Sequence, residues 1–231
     1  AVGARMVSTP DLMNAKVWSL AQNAPITGLF KLGTNAYLAA SREMQFTSTD
    51  AITWTGGHVP AGRRGLIGGV QGGSTFVGIA DEPTFRVLNG TTWTLVPTTD
   101  NVDMNDILFA NNQFMAVGRG GANKVYTSAN GTAWTSTTVQ QFVGLAFGNN
   151  TYVQVAGQVI NSTPTGLTMN LINPPPTPNN LLSVAYGAGR FVAVGTKGTV
   201  VTSTTGAQGT WTASLLGANN NAHQKVIFAG G

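Results

Sequence analysis

Few side chains in this sequence can do chemistry, and their spacing limits which chemistry. Cys is absent, so no thiolate nucleophile, disulfide or Cys-based metal site can form. Hydrolysis by paired carboxylates needs two acids flanking one bond. The chain has two Glu, Glu43 and Glu82, placed by the pattern in turns of different repeats, and no pair stands out. His58 and His223 fall in predicted loops far apart and read as solvated histidines. The densest acidic stretch is Asp100-Asn-Val-Asp103-Met-Asn105-Asp106. Ca²⁺ takes oxygen ligands, but this run lacks the glycine and the bidentate glutamate of an EF-hand loop, so it reads as a solvated acidic loop. The glycines sit at hairpin signals and none opens a helix, which argues against a phosphate cradle. The expectation is a protein without catalytic residues, metal or cofactor.

The elements that position these residues follow from composition and period. The chain has 231 residues, 42% hydrophobic and 9% charged, against about 25% charged in an ordinary soluble chain. Thr (31), Asn (20) and Gly (30) supply about a third of it, a mix that favours strands and tight turns. Apolar content this high with a net charge of +4 argues against disorder. The pI near 9.7 raises nucleic acid as a partner. The twelve basic residues are scattered, with only Arg63 and Arg64 adjacent, and that argues against it. No window has about 18 uninterrupted apolar residues, so no helical membrane span is expected. The opening Ala1-Val-Gly-Ala-Arg5 lacks the apolar stretch of a signal peptide and fits a mature chain after Met removal.

The sequence is a repeat. Leu182-Ser-Val-Ala-Tyr186-Gly-Ala-Gly-Arg-Phe191-Val-Ala-Val-Gly195, then Thr199-Val-Val-Thr-Ser203 and Thr210-Trp211, echoes Ile107-Leu-Phe109 to Gly118, then Val125-Tyr-Thr-Ser128 and Trp134. The Trp column runs 18, 54, 93, 134, 169 (a Met) and 211, with spacings of 36, 39, 41, 35 and 42 residues. Each unit holds four short β-branched and aromatic runs, punctuated by hairpin signals such as Asn89-Gly90 and Asn130-Gly131. Four-stranded units at a period of about 40 residues indicate an all-β, six-bladed β-propeller of four-stranded antiparallel blades. The blades are expected at 1–26 plus 222–231, 27–60, 61–100, 101–139, 140–180 and 181–221, forming one domain. Lys225-Val-Ile-Phe228-Ala-Gly matches the innermost strand Val184-Ala-Tyr186-Gly and has no outer strands after it. The C-terminal strand is therefore expected to complete the first blade, three strands plus one, leaving no ring edge. Lys31, Gly69, Leu108, Ala146, Ala185 and Ile227 would line the channel.

The element Ser-x-Asn/Asp-Gly-x-x-Trp resembles the Asp-box (BNR) repeat and the repeats of photosystem II stability-factor-like propellers. It matches at Ser128–Trp134 and in part at Ser48–Trp54 and Val87–Trp93; only Asp50 keeps the acid, with Asn89, Asn130 and Gly206 elsewhere. The resemblance implies a structural role, the Asx side chain setting a turn and the Trp packing between blades. Many Asp-box propellers are sialidases. That activity would need an arginine cluster, a Tyr–Glu pair and an Asp acid, and no Arg-Ile-Pro motif precedes the repeats. The chain also lacks the Trp-Asp dipeptide of WD40 repeats.

Propeller topology sorts the connections onto two faces. One face carries small Gly/Asn turns. The other carries the longest connections, Gly56 to Gly65, Pro97 to Asp106, Asn173 to Asn180 and Gly217 to Gln224, and twelve of the twenty charged residues. The candidate binding face is Arg42, His58, Arg63, Arg64, Asp81, Asp100, Asp103, Arg119, Lys124 and Lys197. Four Asn-x-Ser/Thr sequons, at Asn89, Asn130, Asn149 and Asn161, are explained by hairpin chemistry. The functional expectation is a structural or adhesion module, a bacteriophage virion protein of tail, fibre or capsid surface. It would sit in the virion or outside the cell, bind another virion subunit or a host glycan or receptor, and make no nucleic-acid contact or membrane insertion. A homo-oligomer within a larger assembly is compatible with this reading. The alternatives are a glycan-binding lectin-like propeller, an assembly factor and a sialidase-like hydrolase.

Overall fold

The computed structural model describes residues 5–8, 16–19, 28–32, 36–40, 44–58, 65–80, 82–120, 123–216 and 221–228. Apart from a single 3-10 turn at Thr196–Gly198, the regular structure among them is all β. Strands β1 (Arg5–Ser8) and β2 (Lys16–Ser19) form a two-stranded antiparallel sheet. Four sheets have four antiparallel strands in chain order. The first holds β3 (Gly28–Lys31), β4 (Tyr37–Ala40), β5 (Met44–Ser48) and β6 (Thr55–His58). The second holds β7 (Leu66–Gly72), β8 (Thr75–Ala80), β9 (Thr84–Asn89) and β10 (Thr92–Pro97). The third holds β11 (Val102–Ala110), β12 (Gln113–Gly120), β13 (Lys124–Ser128) and β14 (Thr135–Thr138). A three-stranded sheet follows, with β15 (Gly144–Gly148), β16 (Thr151–Ala156) and β17 (Val159–Thr163). The last has β18 (Leu181–Gly187), β19 (Arg190–Gly195), β20 (Thr199–Ser203) and β21 (Thr212–Leu215).

The chain divides into two compact units, residues 1–104 with 129–133, and residues 105–128 with 134–231. In the first, Leu38, Ala40, Leu66, Phe76 and Leu88 are buried together, with Phe30 and Trp93 packed against them. In the second, Val153, Val155, Ile160, Leu181, Phe191 and Val201 belong to one buried cluster. Met115, Val117, Val125, Phe142, Leu145 and Tyr152 form another. Three Trp of the column pack on the second strand of their own sheet: Phe76–Trp93, Phe114–Trp134 and Phe191–Trp211 have centroids 6.2, 6.4 and 6.2 Å apart. Such aromatic pairs contribute about 0.5–1.5 kcal/mol beyond the area they bury.

The two strongest turn signals take different forms. Asn89 pairs with Thr92, leaving Gly90 (φ +60°) and Thr91 as a two-residue hairpin loop. Asn130-Gly131 instead sits in a wider corner between β13 and β14, where Asn130 Oδ1 accepts the N–H groups of Thr132 and Ala133, both at 2.9 Å. The corner between β5 and β6 is built alike. Asp50 Oδ1 accepts the N–H groups of Ile52 and Thr53 at 2.7 Å each, and Ser48 Oγ donates to it at 2.9 Å. In four corners the third residue after the Ser or Thr is left-handed: Ala51 (φ 57°), Gly131 (80°), Gly166 (70°) and Gly206 (79°). Gly206 therefore corresponds to Ala51 and Gly131, and Thr205 occupies the Asx position, a one-residue correction to the sequence alignment. Val87–Trp93 is a plain hairpin and has no such corner.

The fourth outer strand is missing after β17 for a local reason. Asn161 is fully buried and its side chain satisfies backbone that a strand would have paired, donating to Thr168 O at 3.0 Å and accepting from Asn170 N–H at 2.6 Å. A single bridge, Asn161 to Leu171, remains, and Pro174, Pro175 and Pro176 then supply no N–H groups.

Candidate binding face

Four of the ten predicted face residues, Arg42, Arg63, Arg64 and Asp81, lie outside the described residues. Of the others, two are brought together by register. Lys124 opens β13 opposite Gly118, one residue before Arg119 on β12, so both cations stand at the β12–β13 connection. Arg119 is exposed and Lys124 half-buried. Lys197 occupies the equivalent β19–β20 connection, exposed and left-handed at φ 55°. Its turn is held from both sides, by Thr196 N–H to Asn180 O (2.8 Å) and Gly198 N–H to Asn221 O (2.7 Å). A loop clamped at neighbouring peptides presents its side chain without further ordering.

Three expectations need correction. His58 is not in a loop but is the last residue of β6, opposite Met44. The long connection expected from Pro97 to Asp106 is short, because β10 runs to Pro97 and β11 starts at Val102. Asp100 stays in the connection, half-buried, whereas Asp103 and Asp106 are on β11. The run Val102-Asp-Met104 alternates buried and half-buried residues, and burying Val102 and Met104 outweighs the turn preference of the Asp and Asn between them.

Asp106 is the consequence, a buried carboxylate that the loop reading missed. Its Oδ2 accepts Leu145 N–H at 2.9 Å, and its Oδ1 accepts Ile107 N–H at 3.1 Å and Lys225 Nζ at 3.3 Å. Burial pushes this carboxyl above its usual range, against the pull of Lys225 and the two N–H donors. A raised folded pKa means that the stability it contributes is full at low pH and is lost as pH rises through that value. No group of three metal-ligating side chains occurs among the described residues. Sequence reading also missed Arg86. It is fully buried on β9 and donates twice to Glu82 Oε1, at 2.6 Å from Nη2 and 3.1 Å from Nε. The i, i+4 spacing across the β8–β9 turn was the available signal.

The segment 221–228 carries no β-ladder, unlike the strand expected there, and residues 229–231 lie outside the described residues. It is nevertheless fixed to the β18–β21 sheet. His223 N–H donates to Gly195 O (2.9 Å) and Val226 N–H to Ser183 Oγ (3.2 Å). Phe228 covers Gly187, where an added Cβ would run into its ring, and Tyr186 covers Gly148 in the same way.

No family model matches the chain, and no curated protein matches it. Solved structures do. The computationally designed Ika8 protein aligns with a TM-score of 0.68 at 15% identity, over 94% of this chain and 72% of that one. YCF48 bound to D1 peptide aligns at 0.64 and 16%, over 85% and 68%. The WD40 domain of Neurospora crassa Pan2 aligns at 0.65 and 9%, over 87% and 68%. All three are β-propellers, and a likeness at such low identity speaks to fold. The chain is an all-β protein of the β-propeller fold.

Proposed function

We propose that this is a non-enzymatic binding propeller whose second-to-third strand connections form the recognition surface, and that it serves as a structural or adhesion protein of a bacteriophage virion. One observation carries the reading: Arg119, Lys124 and Lys197 occupy the second-to-third strand connection in two different sheets, held on strand ends or on a clamped turn. Side chains fixed by a rigid β scaffold at connection tips are suited to recognition. The virion assignment rests on composition, a Thr/Asn/Gly-rich, Cys-free, charge-poor chain suited to persistence outside a cell. The partner is then another virion subunit or a host glycan or receptor.

The reading includes six blades closed by the C-terminal strand. Phe228 on Gly187 repeating Tyr186 on Gly148 supports placing 225–228 in the innermost-strand role. The test is a glycan array probed with the purified chain, together with mass spectrometry of purified phage particles. Detection in particles with binding to a subunit or receptor supports the reading. Hydrolysis of an arrayed glycan, or absence from particles together with no binding, overturns it.

A further inference from the structure

The acidic residues are unevenly placed. All eight Asp and Glu lie at or before Asp106, while Arg119, Lys124, Arg190, Lys197 and Lys225 follow it. The unit formed by residues 105–128 and 134–231 therefore has one carboxylate side chain, and that one is buried on Lys225. Its other charged side chains are all cationic.

The same unit holds a groove of about 280 Å³ between the segment Pro176–Asn179 and the outer strand β21. Its walls are set in place. Asn179 Nδ2 donates to Thr199 Oγ1 at 2.8 Å, and Asn179 N–H to Thr177 Oγ1 at 3.1 Å. The strand beside it is an unpaired edge, since no described strand flanks β21 beyond β20. Register decides which backbone groups are free. Leu216 N–H donates to Gly198 O at 2.8 Å, so Thr212, Ser214 and Leu216 turn theirs toward β20, and Ala213 and Leu215 turn theirs outward. Leu215 and Leu216 are 65% and 60% exposed, a costly arrangement for an edge with nothing on it. By contrast, the outer strand β14 is Thr-Ser-Thr-Thr. Lys197 adjoins Gly198, the carbonyl partner of Leu216, and so stands at the leucine end of this edge.

We infer that the edge of β21 docks an extended, acidic segment of a partner polypeptide as an added strand, which deepens the binding-propeller reading and rests on it. The outward N–H and C=O groups of Ala213 and Leu215 supply the strand pairing, as in β-augmentation generally. The groove takes an apolar side chain against Pro176, Pro178 and Leu215. Lys197 and the unit's other cations select carboxylates on the incoming strand.

The test uses the full chain and two labelled octapeptides of alternating Val and Thr, one carrying two glutamates and the other two lysines. The acidic peptide is expected to bind about tenfold tighter than the basic one, and more weakly as salt rises. Ala213→Pro removes an outward N–H and leaves the inward ladder intact. It should cut acidic-peptide binding about tenfold with an unchanged melting temperature. Lys197→Glu, at an exposed turn, should cut it comparably and serves if the proline variant does not fold. No acidic-peptide binding, equal affinity for both peptides, or full binding by a folded Ala213→Pro variant overturns the inference. Particle binding is measured in parallel. If it persists in a variant that has lost the peptide, the edge is not the site but the adhesion reading stands. If peptide binding is intact and particle binding absent, the adhesion reading fails instead.

Discussion

The corner between β5 and β6 and the corner between β20 and β21 perform one task with different chemistry. In the first, Asp50 gathers two N–H groups and a serine hydroxyl onto one carboxylate oxygen, which lets Ala51 occupy the left-handed position. In the second no acid is present. Ser203 Oγ accepts Gly206 N–H at 2.8 Å and shares a 2.6 Å hydrogen bond with Thr210, and Gly206 takes the left-handed position. Trp211 Nε1 donates to Gly206 O at 3.0 Å, whereas Trp54 Nε1 is buried with no acceptor among the described residues. A side-chain acceptor and a glycine are thus partly interchangeable. At the Asp50 corner one Asx oxygen holds two N–H groups and a Cβ at left-handed φ is tolerated; at the Ser203 corner a hydroxyl takes the Gly206 N–H and glycine carries the turn.

The comparison can be broken most strongly at Gly206. A Cβ there adds left-handed strain and meets Phe191 and Ser162 at 3.2 Å. Gly206→Ala should therefore lower unfolding stability by about 2 kcal/mol in urea denaturation. Asn130→Ala leaves two N–H groups to water and should cost about 1 kcal/mol by the same measurement, the scale of a lost cap. Asp50 gives the smallest effect at neutral pH and the sharpest signature. Hydrogen bonds from Thr53 and Ile52 N–H and from Ser48 hold its pKa at about 2. A folded pKa below the unfolded one means that the unfolded state binds more protons in between. The stabilisation is present above about pH 4 and is lost as pH falls through about 2. Asp50→Asn, which copies the Asn130 corner, should flatten the fall of melting temperature over that window while changing it little at pH 7.

Much of this was legible in the sequence. The Trp column and its spacing located the sheets, since a large aromatic on a regular period has few places to pack. The turn dipeptides were legible only as turns. Asn89-Gly90 and Asn130-Gly131 look alike, but the first closes a two-residue loop and the second caps a wide corner, because Ser128 and Trp134 set the corner's length. The site was less legible. Arg119 and Lys124 are strand residues that flank the β12–β13 connection, and Lys197 lies in the β19–β20 turn. Asp103 and Asp106 lie in no connection, because apolar alternation through Val102 and Met104 carried the strand past them. Nothing local to Asp106 announces Lys225, 119 residues away, and Arg86 on Glu82 was announced only by the i, i+4 spacing across the β8–β9 turn.

The central claim, recognition through the cation-bearing connections, is tested most directly by the triple variant Arg119→Ala, Lys124→Ala, Lys197→Ala. The measurement is its retention on purified particles relative to the wild-type chain, with circular dichroism confirming the β fold of both. Loss of retention by about tenfold or more is the predicted result, steepest at low salt. Wild-type retention by the folded triple variant would contradict the account and move recognition to another surface.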